Sequence, residues 1–307
     1  MKVSLKQAQK ISQLLDCSLI DYRFLAKGNH NWNYLLHTDK RNLILRMENN
    51  AQFKNLKKEY TLLRKLKSGL GPKVFLFDKS HKIVPTNYLI EEYIVGKHPQ
   101  KITEDFLLSM AQWFKQLHKI TKHTSSEFSL DSALKPYYRN YLKYKHHIKD
   151  KRLLQQLEYT INKAKEICTK NKSIFKNRRK RVLLHNDSSR ENIFYKKGLV
   201  QLIDWEFASY GFPERELVYF IDSYDLLEEQ KRIFLKEYGY PTNASAQKQL
   251  QAYFIIHLCS SVGYSLWRLD LLKNTKEKKE TITRLKKDLD KLTQRVNIYY
   301  ETKSKKT

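Results

Sequence analysis

Apolar and polar residues alternate along the first third of the chain in a pattern that predicts β-strands. After an amphipathic stretch at residues 4–16, where apolar side chains recur at helical spacing, turns separate strand-like runs in YRFLAKGNHNWNYLLHTDKRNLILRM. Two more strand-like runs, at residues 73–77 and 88–94, follow the helix-breaking sequence Leu-Gly-Pro at 70–72. These patterns predict a five-stranded antiparallel sheet preceded by a short helix.

After residue 96 the pattern is mostly helical, with one exception. Residues 103–119, 136–170 and most of the chain beyond 214 favour helices. The exception is the stretch from 182 to 206, which is VLLHNDSSRENIFYKKGLVQLIDWE. It reads as a short strand, a polar loop, a second strand, a Lys-Lys-Gly turn and a third strand. We therefore predict an α+β fold with a small antiparallel β lobe at residues 1–95 and a larger, mainly helical lobe at residues 96–307.

Three polar side chains in this stretch lie beside predicted strands, where a rigid scaffold can direct them into a cleft. Asp187 and Asn192 occupy the loop, and Asp204 ends the third strand. Phosphoryl transfer uses this combination of groups. One carboxylate orients a hydroxyl and accepts its proton, while an amide oxygen and a second carboxylate hold Mg²⁺ on nucleotide phosphates. The stretch therefore predicts a phosphotransferase; the alternative is an accidental polar hairpin in another α/β protein.

The same residues resemble the signature of the choline/ethanolamine kinase and aminoglycoside phosphotransferase families, which are relatives of the protein kinases. That signature is His-x-Asp, an Asn five residues after the Asp, and an apolar strand ending in Ile-Asp-Trp-Glu. Here it stands as His185, Asp187, Asn192 and residues 203–206. The resemblance implies a protein-kinase-like two-lobe fold with ATP and Mg²⁺ as cofactors. It also implies Asp187 as catalytic base, Asn192 and Asp204 as metal ligands, and His185 as a brace for the loop.

The resemblance extends upstream to a loop and a buried cation. Gly28, Asn29 and Asn31 resemble a loop that covers the phosphates, although His30 stands where relatives commonly have Ser or Thr. Arg46 interrupts the apolar third strand, in the place where kinase-type folds put a cation on the α- and β-phosphates. The alternative for this residue is a surface arginine on an edge strand.

The nucleotide site implied by the resemblance has two further parts. Glu59, on the helix after the third strand, is the candidate partner that fixes the cation. Residues 91–96 resemble a hinge whose backbone groups meet adenine, which implies Glu92 and Ile94 as nucleotide contacts. The N-terminal lobe is thus expected to bind nucleotide, and the C-terminal lobe to carry the catalytic residues and the acceptor site.

An aromatic pair suggests the acceptor. Tyr264 and Trp267 are three positions apart on a predicted helix, so they share a face. In choline kinases a pair at this place packs around the trimethylammonium group, and Tyr219 and Tyr224 are candidates for further walls. Core packing of the two rings is the alternative. The resulting hypothesis is an ATP-dependent kinase for choline or a similar amino alcohol. Aminoglycosides, thiamine or a sugar are the alternative acceptors within the same fold.

Charge allows a different class of function. The chain of 307 residues carries a formal net charge of +27, which also suits a non-catalytic nucleotide-binding or nucleic-acid-binding protein. The lysines are spread along the whole chain, which is typical of a solvated surface, and no nucleic-acid motif is present. Residues 186–229 reverse the charge with ten acidic and four basic side chains. This acidic segment suits Mg²⁺ and a cationic acceptor.

Other sequence features bound the setting. The three cysteines are far apart and lack CxxC spacing, which argues against a disulfide framework and a zinc site. No apolar run approaches the roughly 20 residues that cross a bilayer, and the N-terminus lacks the apolar core of a signal peptide. We therefore expect a cytoplasmic protein with small-molecule partners; the sequence does not indicate an oligomeric state.

Overall fold

A computed structural model describes residues 3–28, 30–49 and 55–304 of the chain. The strands in these ranges are β1 (Leu19–Lys27), β2 (Asn31–Thr38), β3 (Asn42–Glu48), β4 (Val74–Asp78), β5 (Tyr88–Glu92), β6 (Thr121–His123), β7 (Lys180–Leu184), β8 (Ile193–Lys196), β9 (Leu199–Leu202) and β10 (Ser209–Gly211). The helices are α1 (Leu5–Gln13), α2 (Leu56–Leu63), α3 (Glu104–Leu117), α4 (Leu130–Tyr144), α5 (Lys151–Lys170), α6 (Pro213–Ser223), α7 (Glu228–Tyr238), α8 (Ala244–Leu271) and α9 (Thr275–Ser304).

The first five strands form one antiparallel sheet in the order β1-β2-β3-β5-β4. Apolar side chains on one face of this sheet pack with Ala8 and Ile11 of α1 in a single hydrophobic cluster. The helix begins at a capping box in which Ser4 and Gln7 satisfy each other's backbone N–H groups. The predicted five-stranded antiparallel sheet is confirmed.

The strand predicted at residues 88–94 ends earlier, at Glu92. The chain leaves the sheet there and pairs with β8 instead. Lys97 and Tyr195 exchange backbone hydrogen bonds of 3.2 and 2.9 Å. Gly96 permits this approach, since a Cβ atom at that position would lie 3.2 Å from the Cβ of Phe194. Ile94 therefore belongs to a connecting segment rather than to β5.

The hairpin β8–β9 carries the candidate catalytic residues on its flanks. Its strands pair antiparallel from Ile193↔Leu202 to Lys196↔Leu199. The turn residues Lys197 and Gly198 both have positive φ, 47° and 82°, as a tight two-residue hairpin turn requires. The strand–turn–strand pattern predicted for this stretch is present.

Contacts group the chain into two compact units. The first comprises Met1–Lys119, Leu184–Ser209 and Leu226–Tyr238, and the second comprises Ile120–Leu183, Tyr210–Asp225 and Gly239–Thr307. The second unit is mainly helical, and the α+β class is confirmed. These compact units are discontinuous in sequence, so they do not test a division of the chain at one point. The predicted boundary between lobes at residues 95 and 96 stays a prediction. No helix within the described residues has both the length and the apolar character needed to cross a bilayer.

Candidate active site

The polar loop after β7 and the hairpin β8–β9 connect three of the predicted residues in the first unit. Asn192 donates from Nδ2 to the backbone carbonyl of Asp187 at 3.1 Å and to its carboxylate Oδ2 at 2.8 Å. The carbonyl of Asn192 accepts a hydrogen bond of 3.0 Å from the N–H of Ile203, the residue before Asp204. One asparagine thus connects the loop that carries Asp187 to the end of β9 that carries Asp204.

His185 holds the same loop through two hydrogen bonds of its imidazole ring. Its ring accepts at Nδ1 from the N–H of Asp187 (3.3 Å), and its Nε2 lies 3.0 Å from the carbonyl of Ile203. These partners require a neutral imidazole with its proton on Nε2. The ring is fully buried and packs edge-on against Trp205 at 4.6 Å. The position of the Asp187 backbone is therefore set by a buried, non-reacting histidine.

Trp205 anchors the segment that follows Asp204. Its backbone N–H donates to Oε1 of Glu59 on α2 at 3.0 Å, and its indole Nε1 donates to the carbonyl of Leu202 at 2.8 Å. Gly71 leaves room for the indole, because a Cβ there would lie 2.7 Å from Nε1. Asp204 itself has a left-handed backbone, with φ 65° and ψ 67°. A non-glycine residue holds this conformation only when its surroundings enforce it, which is typical of functional positions.

Arg46 lies at the centre of a cluster of three carboxylates. Its Nη1 donates to Oε1 of Glu59 and lies 3.7 Å from Oε2 of Glu91, and its Nη2 donates to Oδ1 of Asp204 at 2.9 Å. Its guanidinium is buried on β3, which is an interior strand between β2 and β5. The alternative of a surface arginine on an edge strand is therefore wrong, and the Arg46–Glu59 ion pair is present. The phosphate-binding role of Arg46 stays a proposal.

The carboxylates in this cluster outnumber the cation, which changes their acidity. Burial alone would lower the pKa of Arg46, but the charges of Glu59, Glu91 and Asp204 raise it above its ordinary value. Burial raises the pKa of Glu59, although Arg46 opposes that shift. Burial likewise raises the pKa of Glu91 to about 8, again against the effect of Arg46. A raised pKa favours the protonated form of Glu91, so we expect this buried carboxyl group to keep its proton near neutral pH.

The first testable consequence concerns the pH dependence of stability. A carboxyl group whose pKa is raised by folding adds stability below its usual value of 4.5, and that contribution is lost as the pH rises through about 8. We expect Glu91→Gln to reduce the loss of unfolding free energy between about pH 6 and about pH 9, because glutamine mimics the protonated acid. Urea unfolding of the nucleotide-free protein at the two pH values measures it.

The adjacent variant Glu92→Gln is the matched control, since Glu92 is exposed and its carboxylate accepts from the N–H of Lys73 at 3.0 Å. It should retain the full pH dependence of the unmodified protein. An equal pH dependence in Glu91→Gln would contradict the proton assigned to Glu91.

The residues present fit the divalent ion that the resemblance implies. The amide nitrogen of Asn192 is used by Asp187, so its oxygen is the atom that can face a cation. The side chain of Asp204 is 35% exposed, the highest exposure among the partners of Arg46. The described residues contain no cluster of three His, Cys, Asp or Glu ligands. Mg²⁺ commonly binds through one or two carboxylates together with water and substrate phosphates, so an Asn–Asp pair fits it.

The predicted phosphate-covering loop is only partly described, because Asn29 lies outside the described residues. The N–H of Gly28 donates to the carbonyl of Asn31 at 2.8 Å, and the Nδ2 of Asn49 donates to the carbonyl of Gly28 at 3.0 Å. Asn31 is buried beside Arg46; with its amide oxygen turned towards Nη2, it accepts at 3.3 Å. The loop therefore ends next to the arginine cluster.

Of the two predicted hinge residues, Glu92 ends β5 and Ile94 follows in the connecting segment. Glu92 pairs in register with Leu43 of β3, and Ile94 is buried two residues later. A cavity of about 480 Å³ adjoins this segment, and its lining includes residues 95–101, Thr103, Tyr195 and Lys196. This lining contains none of the carboxylates described above, so the cavity is separate from the Asp187 site. Contact of Glu92 and Ile94 with a nucleotide stays a prediction.

The predicted acceptor residues all lie in the second unit. The rings of Tyr264 and Trp267 on α8 are 5.6 Å apart at an angle of 47°, and they are 40% and 37% exposed. The alternative of core packing is therefore wrong for this pair. Tyr219 on α6 packs edge-on against His257 at 5.7 Å. Tyr224 is 4% exposed and its ring lies 4.6 Å from Phe220, so it packs in the core of this unit.

Most of the negative charge of the acidic segment at 186–229 is neutralised by ion pairs. Several of the cationic partners lie outside this segment, so counting its own charged residues does not reveal them. Asp222 contacts His257 at 3.1 Å and Lys291 at 2.7 Å. Burial would raise the pKa of Asp222, but hydrogen bonds from His257 and Lys291 lower it to about 2. The further acidic residues of this segment with ion-pair partners are Asp204, Glu206, Glu214, Asp225, Glu228 and Glu229. Little of the predicted negative charge is thus left for a cationic acceptor.

Sequence reasoning missed two features of this site. Glu91 belongs to the arginine cluster, whereas the sequence analysis assigned a role only to its neighbour Glu92, as a nucleotide contact. The one sequence feature that pointed to Glu91 was a carboxylate inside an apolar strand. His30 contacts both carboxylate oxygens of Glu206 through Nδ1 at 2.9 Å. The signal for this contact was the departure of His30 from the loop pattern.

Comparisons with known proteins identify the family and the fold of this chain. The phosphotransferase enzyme family matches residues 21–249. A curated relative, the "Protein LicA homolog" of Metamycoplasma hominis, is 26% identical over 209 residues, which are 67% of this chain and 75% of that protein. The crystal structure of choline kinase LicA from Streptococcus pneumoniae superposes with a TM-score of 0.63 at 20% identity, covering 93% of this chain and 96% of that one. ADP-bound aminoglycoside phosphotransferase APH(2'')-Ib superposes with a TM-score of 0.65 at 16% identity, covering 96% and 99%. The predicted protein-kinase-like fold, an antiparallel sheet with a larger helical part, is confirmed.

Proposed function

We propose that this chain, which belongs to the phosphotransferase enzyme family, transfers the terminal phosphoryl group of a nucleotide to the hydroxyl of choline or a similar amino alcohol. ATP is the expected donor. The observation that carries the proposal is the linked set of Asp187, Asn192 and Asp204, with Arg46 bonded to Asp204. These groups supply a base, an amide oxygen, a carboxylate and a cation within one compact unit.

In the proposed mechanism Asp187 accepts a hydrogen bond from the acceptor hydroxyl and takes its proton as the oxygen attacks phosphorus. The hydrogen bond from Asn192 and the brace from His185 hold this carboxylate in one orientation. A fixed base places the hydroxyl for in-line attack, which is the larger part of what a protein contributes to phosphoryl transfer.

Asn192 and Asp204 would hold Mg²⁺, which when bound neutralises charge on the phosphates. Arg46 is already oriented by Glu59, a buried carboxylate that cannot move far from its contact with Trp205. Asp204 is the exposed partner of Arg46, so it is the partner that can make way for a phosphate oxygen. The cluster thus presents a guanidinium that is positioned before nucleotide binds.

The choice of an amino alcohol rests on two supports. One is the relationship to the LicA homolog and the fold shared with choline kinase LicA. The other is the exposed pair Tyr264 and Trp267, whose rings can attract a quaternary ammonium through cation–π contacts and bury its methyl groups. Arg268 donates to the hydroxyl of Tyr264 at 3.3 Å, and the guanidinium of Arg284 lies 5.7 Å from the centroid of that ring, so Trp267 is the stronger candidate for a contact with the acceptor.

An aminoglycoside is the second candidate acceptor, because aminoglycoside phosphotransferases share the fold to a similar degree. Such acceptors carry several amines and require carboxylates that are free to bind them. Asp222 and Asp225 are instead bound by Lys291, and Asp225 also by Lys287. This observation favours the amino alcohol.

A substitution in the aromatic pair tests the acceptor. We expect Trp267→Ala to raise the KM for choline by about 2- to 30-fold, because one cation–π contact contributes about 0.5–2 kcal/mol. Steady-state kinetics with varied choline at saturating ATP measure this. Tyr159→Ala is the matched control, since Tyr159 is an exposed aromatic residue on α5. An unchanged KM for choline in Trp267→Ala would remove the structural support for a quaternary amine.

The experiment that tests the function itself is a screen for ADP release. The purified protein is incubated with ATP, Mg²⁺ and one acceptor at a time from choline, ethanolamine, thiamine, a hexose and kanamycin. Choline-dependent ADP release is the expected result. Release with another acceptor alone would identify that acceptor instead. Salt-dependent retention on nucleic acid without turnover on any hydroxyl compound would support a nucleic-acid binder and contradict the proposal.

A further inference from the structure

The loop before β2 is joined to the segment after Asp204 by one imidazole–carboxylate contact. The Nδ1 of His30 lies 2.9 Å from each carboxylate oxygen of Glu206, a residue 176 positions away in the chain. Both side chains are largely buried, at 18% and 6% exposure. The imidazole also packs edge-on against Phe207, with 6.4 Å between ring centroids. Because a carboxylate oxygen accepts hydrogen bonds, Nδ1 is the donor in this contact, and it lies equally close to both oxygens.

Glu206 is a rigid anchor for this contact. It lies in the turn Trp205–Phe207, directly after the left-handed Asp204. Its backbone carbonyl accepts from the Nζ of Lys58 on α2 at 3.2 Å. The preceding N–H, that of Trp205, is bonded to buried Glu59. Two contacts with α2 thus fix the backbone that presents the Glu206 carboxylate.

Other hydrogen bonds of the loop run to neighbouring strands of its own sheet. The N–H of Asn49 donates to the carbonyl of His30 at 2.9 Å, and Asn49 also holds the carbonyl of Gly28. These bonds secure the loop to the end of β3. The contact from His30 to Glu206 has a different effect, because it ties the loop to the turn that follows Asp204.

From this geometry we propose that His30 is a positioning residue that holds the phosphate-covering loop over the nucleotide by bonding to Glu206. The proposal rests on the proposed function, since it assumes that this loop covers phosphates. A serine or threonine at position 30 has a shorter side chain, so its hydroxyl could not make the same contact with both oxygens of Glu206. The anchor is already formed in the free protein, so the loop loses less conformational freedom when nucleotide binds. The contact between His30 and Glu206 is therefore expected to strengthen nucleotide binding and to leave the rate of the chemical step unchanged.

The test separates affinity from turnover. In His30→Gln the Kd for ATP is expected to rise about 5- to 10-fold, with a parallel rise in the KM for ATP and a change in kcat of less than about twofold. Glu206→Gln should have a similar effect. Both substitutions remove the same contact. The Kd for ATP of the double variant should therefore not exceed the larger of the two single-variant values. His30→Lys, which places an N–H donor opposite Glu206, should recover most of the affinity.

His37→Gln is the matched control, because His37 is an exposed histidine on β2 that contacts Asn42. It should bind ATP like the unmodified protein. Isothermal titration calorimetry gives the Kd without any acceptor, so the result does not depend on which alcohol is phosphorylated. An unchanged Kd in His30→Gln, or additive effects in the double variant, would overturn the proposal and leave the phosphotransferase function intact. Nucleotide binding without transfer to any acceptor would reject the function, while the Kd series would still decide the role of His30.

Discussion

Replacing Asp187 with alanine is expected to reduce phosphoryl transfer by about a hundred- to ten-thousandfold while the protein still folds. The carboxylate is half-buried on a loop, and its removal leaves the buried brace of His185 on the Asp187 backbone in place. The loss therefore comes from the missing base and from an Asn192 side chain that no longer has a carboxylate partner. Steady-state turnover with choline, together with a thermal melt of the same sample, measures both parts of this expectation.

Glu191→Ala is the matched control for that variant, since Glu191 is an exposed carboxylate in the same loop. It should retain turnover within about twofold, as surface substitutions away from the site usually do. Turnover in Asp187→Ala that equals the turnover of this control would show that Asp187 is not the base.

Replacing Arg46 with methionine is expected to lower the free energy of unfolding by about 3–5 kcal/mol and to abolish transfer. Methionine fills the volume of the side chain but leaves Glu59, Glu91 and Asp204 without their shared cation. A buried carboxylate deprived of its partner is costly, and Glu59, which is fully buried and directly bonded to Arg46, accounts for most of the expected loss. Urea unfolding at neutral pH measures the loss.

A second substitution distinguishes this electrostatic cause from a packing defect. Adding Glu59→Gln to Arg46→Met removes one uncompensated charge, so the double variant should regain part of the lost stability. Arg23→Met is the control for removal of an arginine, since Arg23 is exposed on the edge strand β1. A loss below about 1 kcal/mol in Arg46→Met, or a further loss on adding Glu59→Gln, would contradict the account of the cluster.

The parts of the site that could be predicted from the sequence are those fixed by local spacing. Asp187 and Asn192 are five residues apart on one loop, and Asp204 lies two residues after β9, which pairs with the strand after Asn192. In so short a hairpin the end of the second strand lies beside the start of the first. The residues that flank the hairpin, Asn192 and Asp204, are therefore close in the chain's fold. The alternation of apolar residues predicted the sheet for the same reason, because strand periodicity is a property of neighbouring positions.

The contacts that could not be predicted are those between distant positions. Glu91 and Glu92 are adjacent on β5 and point to opposite faces, and the sequence alone does not show which of them meets Arg46. The partner of Glu206 is 176 positions away. The acidic segment was interpreted from its composition, but its charges are neutralised by residues such as Lys291, which the count of that segment does not include.

The aromatic residues illustrate the same limit within helices. Spacing of three positions predicted that Tyr264 and Trp267 share a face, and their rings are in contact. Spacing did not show which face of α6 is covered, and Tyr224, just after that helix, proved to be buried. The surroundings of a helical face depend on elements that are remote in sequence, so exposure is decided by packing.

The central claim is that Asp187, Asn192 and Asp204 direct a nucleotide's terminal phosphoryl group onto the hydroxyl of a small amino alcohol. Phosphorus-31 NMR of the purified protein with ATP, Mg²⁺ and choline tests it most directly, because the method identifies the phosphorus-containing product itself. We predict a growing phosphate monoester resonance of phosphocholine in step with ADP, and no such resonance with Asp187→Ala. An ATP spectrum that stays unchanged, or one that yields only ADP and inorganic phosphate, would contradict the account.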